Sequence, residues 1–169
     1  MMIFARFVVA LFLIGIVLPP GFAIAQVPPN CEITKAGDPE RDVLRCAFGI
    51  ILEIEAVAEM AFTDGDEAEF DLKNGAVLLE VTPGEARPQI RTPHAIAAVR
   101  GTVFVVDVSE TSTAVFVVLG EVSVSPLGAD APVALVRAGE GIDVSSQGAS
   151  EVGVWGEERA AALMARFGR

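Results

Sequence analysis

A chain of 169 residues with a formal net charge of −11 has room for one domain and is tight for two. Twelve Lys and Arg stand against 23 Asp and Glu, which argues against nucleic acid and anionic lipid as partners, because polyanions are bound by clustered cations. One His and two Cys, with no supporting ligand set nearby, make no closed zinc site, so no metal or cofactor is expected.

In chain order, the first 25 residues differ from the rest. Arg6 is the only charge before Glu32, every residue from Phe7 to Leu18 is apolar or Gly, and Pro19-Pro20-Gly21 then interrupts the run ahead of Ala23-Ile24-Ala25. A basic start, a short apolar stretch and an A-x-A site predict a secretory signal peptide over 1–25, cleaved after Ala25; a retained N-terminal anchor is the alternative. Contact with the membrane is then transient, through the signal peptide. The mature chain would begin at Gln26 with 144 residues and a net charge of −12. The overall mean hydropathy of +0.53 is inflated by this segment.

Cys31 and Cys46 both lie in the mature part, and an even count in an exported chain predicts a disulfide. Closing a loop of this length stabilises a fold by about 3 kcal/mol. Residues 26–46 therefore form a tethered N-terminal segment. Within it Val27–Pro39 reads as an extended lead-in, and Glu40–Arg45 as a helical turn or two.

From residue 47 to 146 the pattern is β. Leu52, Ile54, Ala56 and Ala58 alternate with Glu53, Glu55, Val57 and Glu59, the period of a half-buried strand. Asp64-Gly65 and Asn74-Gly75 predict hairpin turns, separating strands at Glu67–Leu72 and Ala76–Val81. Further short strands are expected at Ile90–Thr92, His94–Val99, Thr102–Val108, Thr113–Leu119, Glu121–Ser125, Val133–Arg137 and Gly141–Ser145. Val103–Val106 and Val115–Leu119 carry no polar side chain, so both faces should be covered. Gly101, Gly120 and Gly139 recur every nineteen residues, a spacing that hints at stacked β coils. Together these features predict a mostly β fold, a β-solenoid-like or twisted β-sandwich domain.

Residues 147–169 form a linker and a C-terminal helix. Glu157–Phe167 is rich in helix formers, with acids near its start and Arg166 near its end. Ala160, Leu163, Met164 and Phe167 share one face. That face either docks on the β body or binds a partner through Leu163, Met164 and Phe167, and Trp155 is placed to anchor the helix.

No catalytic group stands out. His94 has no recognisable triad partners. The acids of residues 64–71 lack the spacing of a calcium loop, and no phosphate-binding glycine motif occurs after residue 25.

One stretch carries a family resemblance. Ile90-Arg91-Thr92-Pro93-His94-Ala95-Ile96-Ala97-Ala98-Val99-Arg100-Gly101-Thr102-Val103-Phe104-Val105-Val106 resembles the central signature of FecR-type domains. Thr113–Val117, Gly120–Val124 and Ala138-Gly139-Glu140-Gly141 are similar to that family's following strands and closing turn, and Asp64-Gly65 and Leu72–Val77 to its earlier hairpins. The likeness covers about Ala58 to Ser146. It implies a periplasmic β domain, which in the namesake proteins relays a signal from an outer-membrane receptor to a cytoplasmic sigma-factor system. An anti-sigma region ahead of the apolar segment and a receptor-facing module after the domain are both expected to be missing here. Within this frame Arg100 is expected to be partly buried as a structural clamp, Thr102 to hydrogen-bond the turn at Gly101, and Gly101, Gly120 and Gly139 to shape the strand connections.

The leading expectation is an exported, non-enzymatic domain that binds or scaffolds another envelope protein through strand edges or the C-terminal helix. A ligand-binding module for cell-wall glycan or a small molecule, and a hydrolase with dispersed acids, are the competing readings.

Overall fold

The structure, a computed structural model, describes residues 28, 30–63, 68–84, 86–128 and 132–169. The proposed signal peptide and the Asp64-Gly65 turn lie outside the described residues. Among these residues fourteen strands build a curled open sheet, a half-barrel, followed by one short α-helix. In chain order the strands are β1 (Cys31–Ala36), β2 (Arg41–Cys46), β3 (Ile50–Glu55), β4 (Glu59–Thr63), β5 (Glu69–Val81), β6 (Gln89–Arg91), β7 (Ala95–Val99), β8 (Val103–Val108), β9 (Ser112–Leu119), β10 (Glu121–Pro126), β11 (Ala134–Arg137), β12 (Glu140–Ser145), β13 (Gly148–Ala149) and β14 (Gly153–Val154), followed by helix α1 (Glu157–Ala165).

The sheet has two halves that share β5. One runs β1-β2-β3-β5-β8-β9-β12, with β13 and β14 both on β12; the other runs β4-β5-β6-β7-β10-β11. All pairings are antiparallel except β5 with β6. The first half alternates with period two, as strands wet or covered differently on their two faces must. Leu52, Ile54, Val77, Leu79, Phe104, Val106, Val115, Val117, Ile142 and Val144 point inward and meet Ile90, Ala97, Val122, Val124 and Val136 of the second half in the main core. The intervening residues point outward.

Two local expectations are corrected. Glu40–Arg45 is not helical: Arg41–Cys46 is the strand β2, hydrogen-bonded to β1 on one side and β3 on the other. Glu, Arg and Leu favour a helix, but six residues gain less from one isolated turn than from ladders on both edges. Asn74-Gly75 is not a hairpin turn either, but a bend inside β5. A type I′ hairpin needs a positive φ at both central residues; here Gly75 has φ +81° and Asn74 is not in that region. At this bend β5 exchanges its neighbours β4 and β6 for β3 and β8, and the β4–β5 register slips between Glu59 and Met60. A Cβ on Gly75 would lie 2.6 Å from the Cα of Ala58, so the bend leaves no room for a side chain.

The nineteen-residue glycine spacing has a different meaning from stacked coils. β7, β9 and β11 each end where the chain crosses from one half of the sheet to the other, and the crossings are at Gly101, Gly120 and Gly139, with φ of 69°, 89° and 81°. One period is one strand out and one strand back. The crossings stack along one end of the half-barrel. Val81 N–H donates to Thr102 O at 2.9 Å, Ala138 N–H to Gly120 O at 3.2 Å, and Trp155 N–H to Gly139 O at 3.1 Å.

Candidate interaction site

The outer face of the first half of the sheet is built from the side chains left over by inward alternation. Ala76 and Leu78 of β5, Val105 of β8 and Phe116 of β9 form an apolar strip. Carboxylates flank it: Glu53 and Glu55 from β3, Glu80 from β5, Asp107 from β8 and Asp143 from β12. Helix α1 lies on this face. Leu163 and Phe167, one turn apart, are 6% and 0% exposed against the strip, and Met164 packs beside them half-buried. Burying two large apolar side chains stabilises the seat by several kcal/mol at about 25 cal/mol per Å², which a helix this short needs, since it is marginal alone.

Arginines complete the fit. Arg166 donates to Glu55 through Nε at 3.0 Å and Nη2 at 2.6 Å, and its Nη1 lies 2.8 Å from Asp107 Oδ2. Arg159 makes a bidentate pair with Asp143 at 2.9 and 2.6 Å. Arg169 pairs with Glu53 and, at 2.7 Å, with Glu80. Arg41 Nε donates to Glu53 at 2.6 Å, so the buried Glu53 carboxylate is held by two guanidiniums. The hydrogen bonds from Arg166 hold the Glu55 carboxyl below the ordinary carboxylate range, against the opposing effect of burial, and the Ala76 N–H adds to the lowering. Glu55 in turn raises Arg166.

Trp155 docks the start of the helix. Its ring stacks on Phe116 with centroids 5.0 Å apart and planes 18° apart, and the Arg159 guanidinium lies 3.5 Å over its other face. A cleft of about 230 Å³ remains between helix and sheet, lined by Asp107, Ala114, Trp155, Arg159, Ala162, Leu163 and Arg166.

The other residues singled out from sequence fall as follows. Cys31 and Cys46 form the disulfide and face each other across the β1–β2 pair. Thr102 is buried, but its hydroxyl donates to Glu121 O of the next crossing at 3.0 Å rather than to its own turn. Arg100 departs from the expected clamp: it is exposed and has no hydrogen bond or ion pair with another described residue. It occupies the outer position of a crossing, between Val99 and Gly101, and the apolar context that suggested burial belongs to the strands β7 and β8 on either side of that turn. The C-terminal arginines and the outward carboxylates were not matched to one another in the sequence reading; their signal was the placing of Glu53 and Glu55 at alternate positions on one face of β3.

His94 is buried in a polar knot that sequence reasoning missed. Its Nδ1 is 3.1 Å from Thr113 Oγ1, Thr113 donates to Thr92 Oγ1 at 2.9 Å, and Thr92 donates to Ala95 O at 2.9 Å. The direction of this relay makes Nδ1 the donor to Thr113. Residues flanking Pro93 in the second half of the sheet are thereby tied to β9 in the first. Among the described residues no three His, Cys, Asp or Glu are grouped to hold a metal ion.

The fold and its crossings lead to a family. The description "FecR protein" matches residues 40–123, and the chain is a FecR-domain protein. Two crystal structures of candidate anti-sigma factors from Parabacteroides distasonis share the fold, with TM-scores of 0.63 and 0.59 at 19% and 20% identity. Each alignment covers 79% of this chain; the chain spans 64% and 60% of the two neighbours' length. No match was found among curated proteins.

Proposed function

We propose that this FecR-domain chain is exported, without catalytic activity, and binds another protein of the cell envelope in a signalling-related role. The observation that carries the reading is the outer face of the sheet, where an apolar strip between five carboxylates already holds in cis an amphipathic C-terminal segment whose arginines, Arg159, Arg166 and Arg169, pair with those carboxylates. That chemistry suits helix-in-groove recognition. The surface assigned to the partner is this face, and Leu163, Met164 and Phe167 mark the contacts that a partner helix would reproduce or replace. The Cys31–Cys46 disulfide supports export, because disulfides persist in oxidising compartments. On this reading residues 1–25 direct export, and the mature domain acts in the periplasm or outside the cell.

The test is affinity capture of the tagged protein from its native envelope after mild crosslinking, comparing the wild type with Arg166→Glu, which loosens α1 from its seat. One reproducible protein partner, recovered in greater yield with the variant, is expected. Recovery of glycan without protein would overturn the reading.

A further inference from the structure

The β1–β2 hairpin joins the disulfide to the seat of α1. Cys31 and Cys46 close the open end of the hairpin, and residues 37–40 form its turn at the other end. The register runs from Cys31 opposite Cys46 to Ala36 opposite Arg41, a length of about 17 Å.

The two strands are held very differently. β2 is built into the sheet: it pairs with β3 on its far edge, Val43 and Leu44 are buried, and Arg41 Nε donates to Glu53 at 2.6 Å. β1 is not. Among the described residues it pairs with β2 alone, none of its six residues is buried, and Ile33 is 45% exposed. Its side chains add an exposed bond from Lys35 to Asp42 at 3.0 Å and a long one from the Thr34 hydroxyl to Val43 O at 3.4 Å. A two-stranded ladder is marginal in water. The loop closed by Cys31 and Cys46 is therefore what keeps β1 on the sheet. Opening it leaves the buried side chains of β2 and the main core in place, so the release is local.

The turn carries the connection onward. The end of the chain lies against it: a Cβ on Gly168 would stand 3.4 Å from Asp38 O, 3.5 Å from Pro39 Cδ and 3.8 Å from Arg41 Nη1. Arg41 Nη1 also donates to Pro39 O at 2.9 Å. Arg41 and Arg169 share the Glu53 carboxylate. One guanidinium thus braces the turn and the carboxylate that holds the last residue of the chain. Phe167, fully buried against the apolar strip, directly precedes Gly168.

We propose that the Cys31–Cys46 disulfide is a redox latch on the seat of α1, closed when oxidised and released by a protein dithiol. Both cysteines are half-buried at the edge of the sheet. The first thiolate of the dithiol attacks one sulfur, forms a mixed disulfide and expels the other sulfur as a thiolate. The second thiolate of the dithiol then displaces the remaining sulfur. Two electrons and two protons pass to the chain, which ends with two thiols while the reductant ends as a disulfide. β1 then frays, residues 37–40 lose their anchor, and the wall behind Gly168 is lost. The outer face opens from its Glu53 end. What this opening offers a protein partner rests on the function proposed above; the release of the C-terminal segment does not.

The test is amide hydrogen exchange on the full chain without any partner, oxidised and after reduction with dithiothreitol. Exchange is expected to quicken about tenfold over residues 31–41 and 163–169 on reduction, with β5, β8 and β9 unchanged. The double variant Cys31→Ser/Cys46→Ser should show the fast pattern with or without dithiothreitol. Arg41→Ala with the disulfide intact should quicken residues 163–169 while residues 31–36 stay protected, which identifies the turn as the route. Faster exchange confined to residues 31–41 would mean that the disulfide does not reach the helix seat. Faster exchange throughout the sheet would make it a staple of the whole fold. Either result would overturn the proposal, and neither depends on whether a partner binds the outer face.

Discussion

The indole of Trp155 occupies the space that a side chain at Gly141 would fill. A Cβ built on Gly141 would overlap the Nε1 and Cε2 atoms of that ring, whereas the backbone there is ordinary extended strand. Gly141 is therefore required for its missing side chain and not for its conformation. Gly141→Ala is expected to push the ring off Phe116, breaking the stack with Phe116 and the contact with Arg159. The cost should be about 1–3 kcal/mol, the range for overpacking. Trp155 is the only tryptophan, so its emission reports the docking directly: a red shift at a temperature where the sheet stays folded is the expected result.

Much of the fold was legible because its signals are local. β3 and the strands from β6 to β12 follow apolar runs bounded by Gly, Pro or polar pairs, and α1 follows its helix formers and acidic first turn. The coverage of Val103–Val106 on both faces was legible too, since an all-apolar run has no wet side; Val105 lies under α1 and Val106 in the main core. What failed depended on non-local choices. The pair Asn74-Gly75 encodes a bend or a turn equally well until β3 and β8 arrive to pair with the following residues. Arg100 sits between two strands whose apolar residues are buried, and only the crossing shows that it points out. The acid–arginine matching of the outer face joins residues more than a hundred positions apart, such as Glu55 and Arg166, and no window of sequence contains both.

The Glu55–Arg166 pair makes helix docking sensitive to acid. The folded-state pKa of Glu55 lies below its ordinary value of 4.5. The pair's contribution is therefore complete above that value and is lost as the pH falls through the lower, folded one. The two side chains are 19% and 32% exposed, so solvent screening limits their coupling to about 1 kcal/mol. Acidification should loosen α1 before the core, read as faster amide exchange over residues 157–167. Glu55→Gln should remove that acid-dependent part and leave a helix already loosened at neutral pH. An unchanged acid response in Glu55→Gln would assign the effect to Glu53, Glu80, Asp107 or Asp143, the other carboxylates facing the helix.

Thr113 ties the two halves of the sheet together through its hydroxyl. It is fully buried, and Thr113→Val keeps its shape while removing the bond to Thr92 and the partner of His94 Nδ1. Leaving buried polar groups unsatisfied costs about 1–3 kcal/mol. Urea unfolding should show a lower midpoint with an unchanged slope. A shift no larger than that of an exposed control such as Thr111→Val would mean that water replaces the lost hydroxyl.

The three crossing glycines should not be equally costly to replace, although their spacing and φ angles are alike. Alanine at any of them meets the left-handed penalty of roughly 1–2 kcal/mol. At Gly139 that is the whole cost, because nothing lies within 4 Å of the added Cβ. At Gly120 the Cβ would also meet Gly101 O at 2.9 Å and Thr102 Oγ1 at 3.0 Å. Relieving that contact separates two stacked crossings and strains the Thr102 hydrogen bond to Glu121 O. Gly120→Ala should therefore destabilise by roughly 1–3 kcal/mol more than Gly139→Ala, measured as the difference between their denaturant midpoints at equal slope. Equal losses would mean that backbone conformation alone sets the requirement for glycine, and that the stacking of the crossings adds nothing to stability.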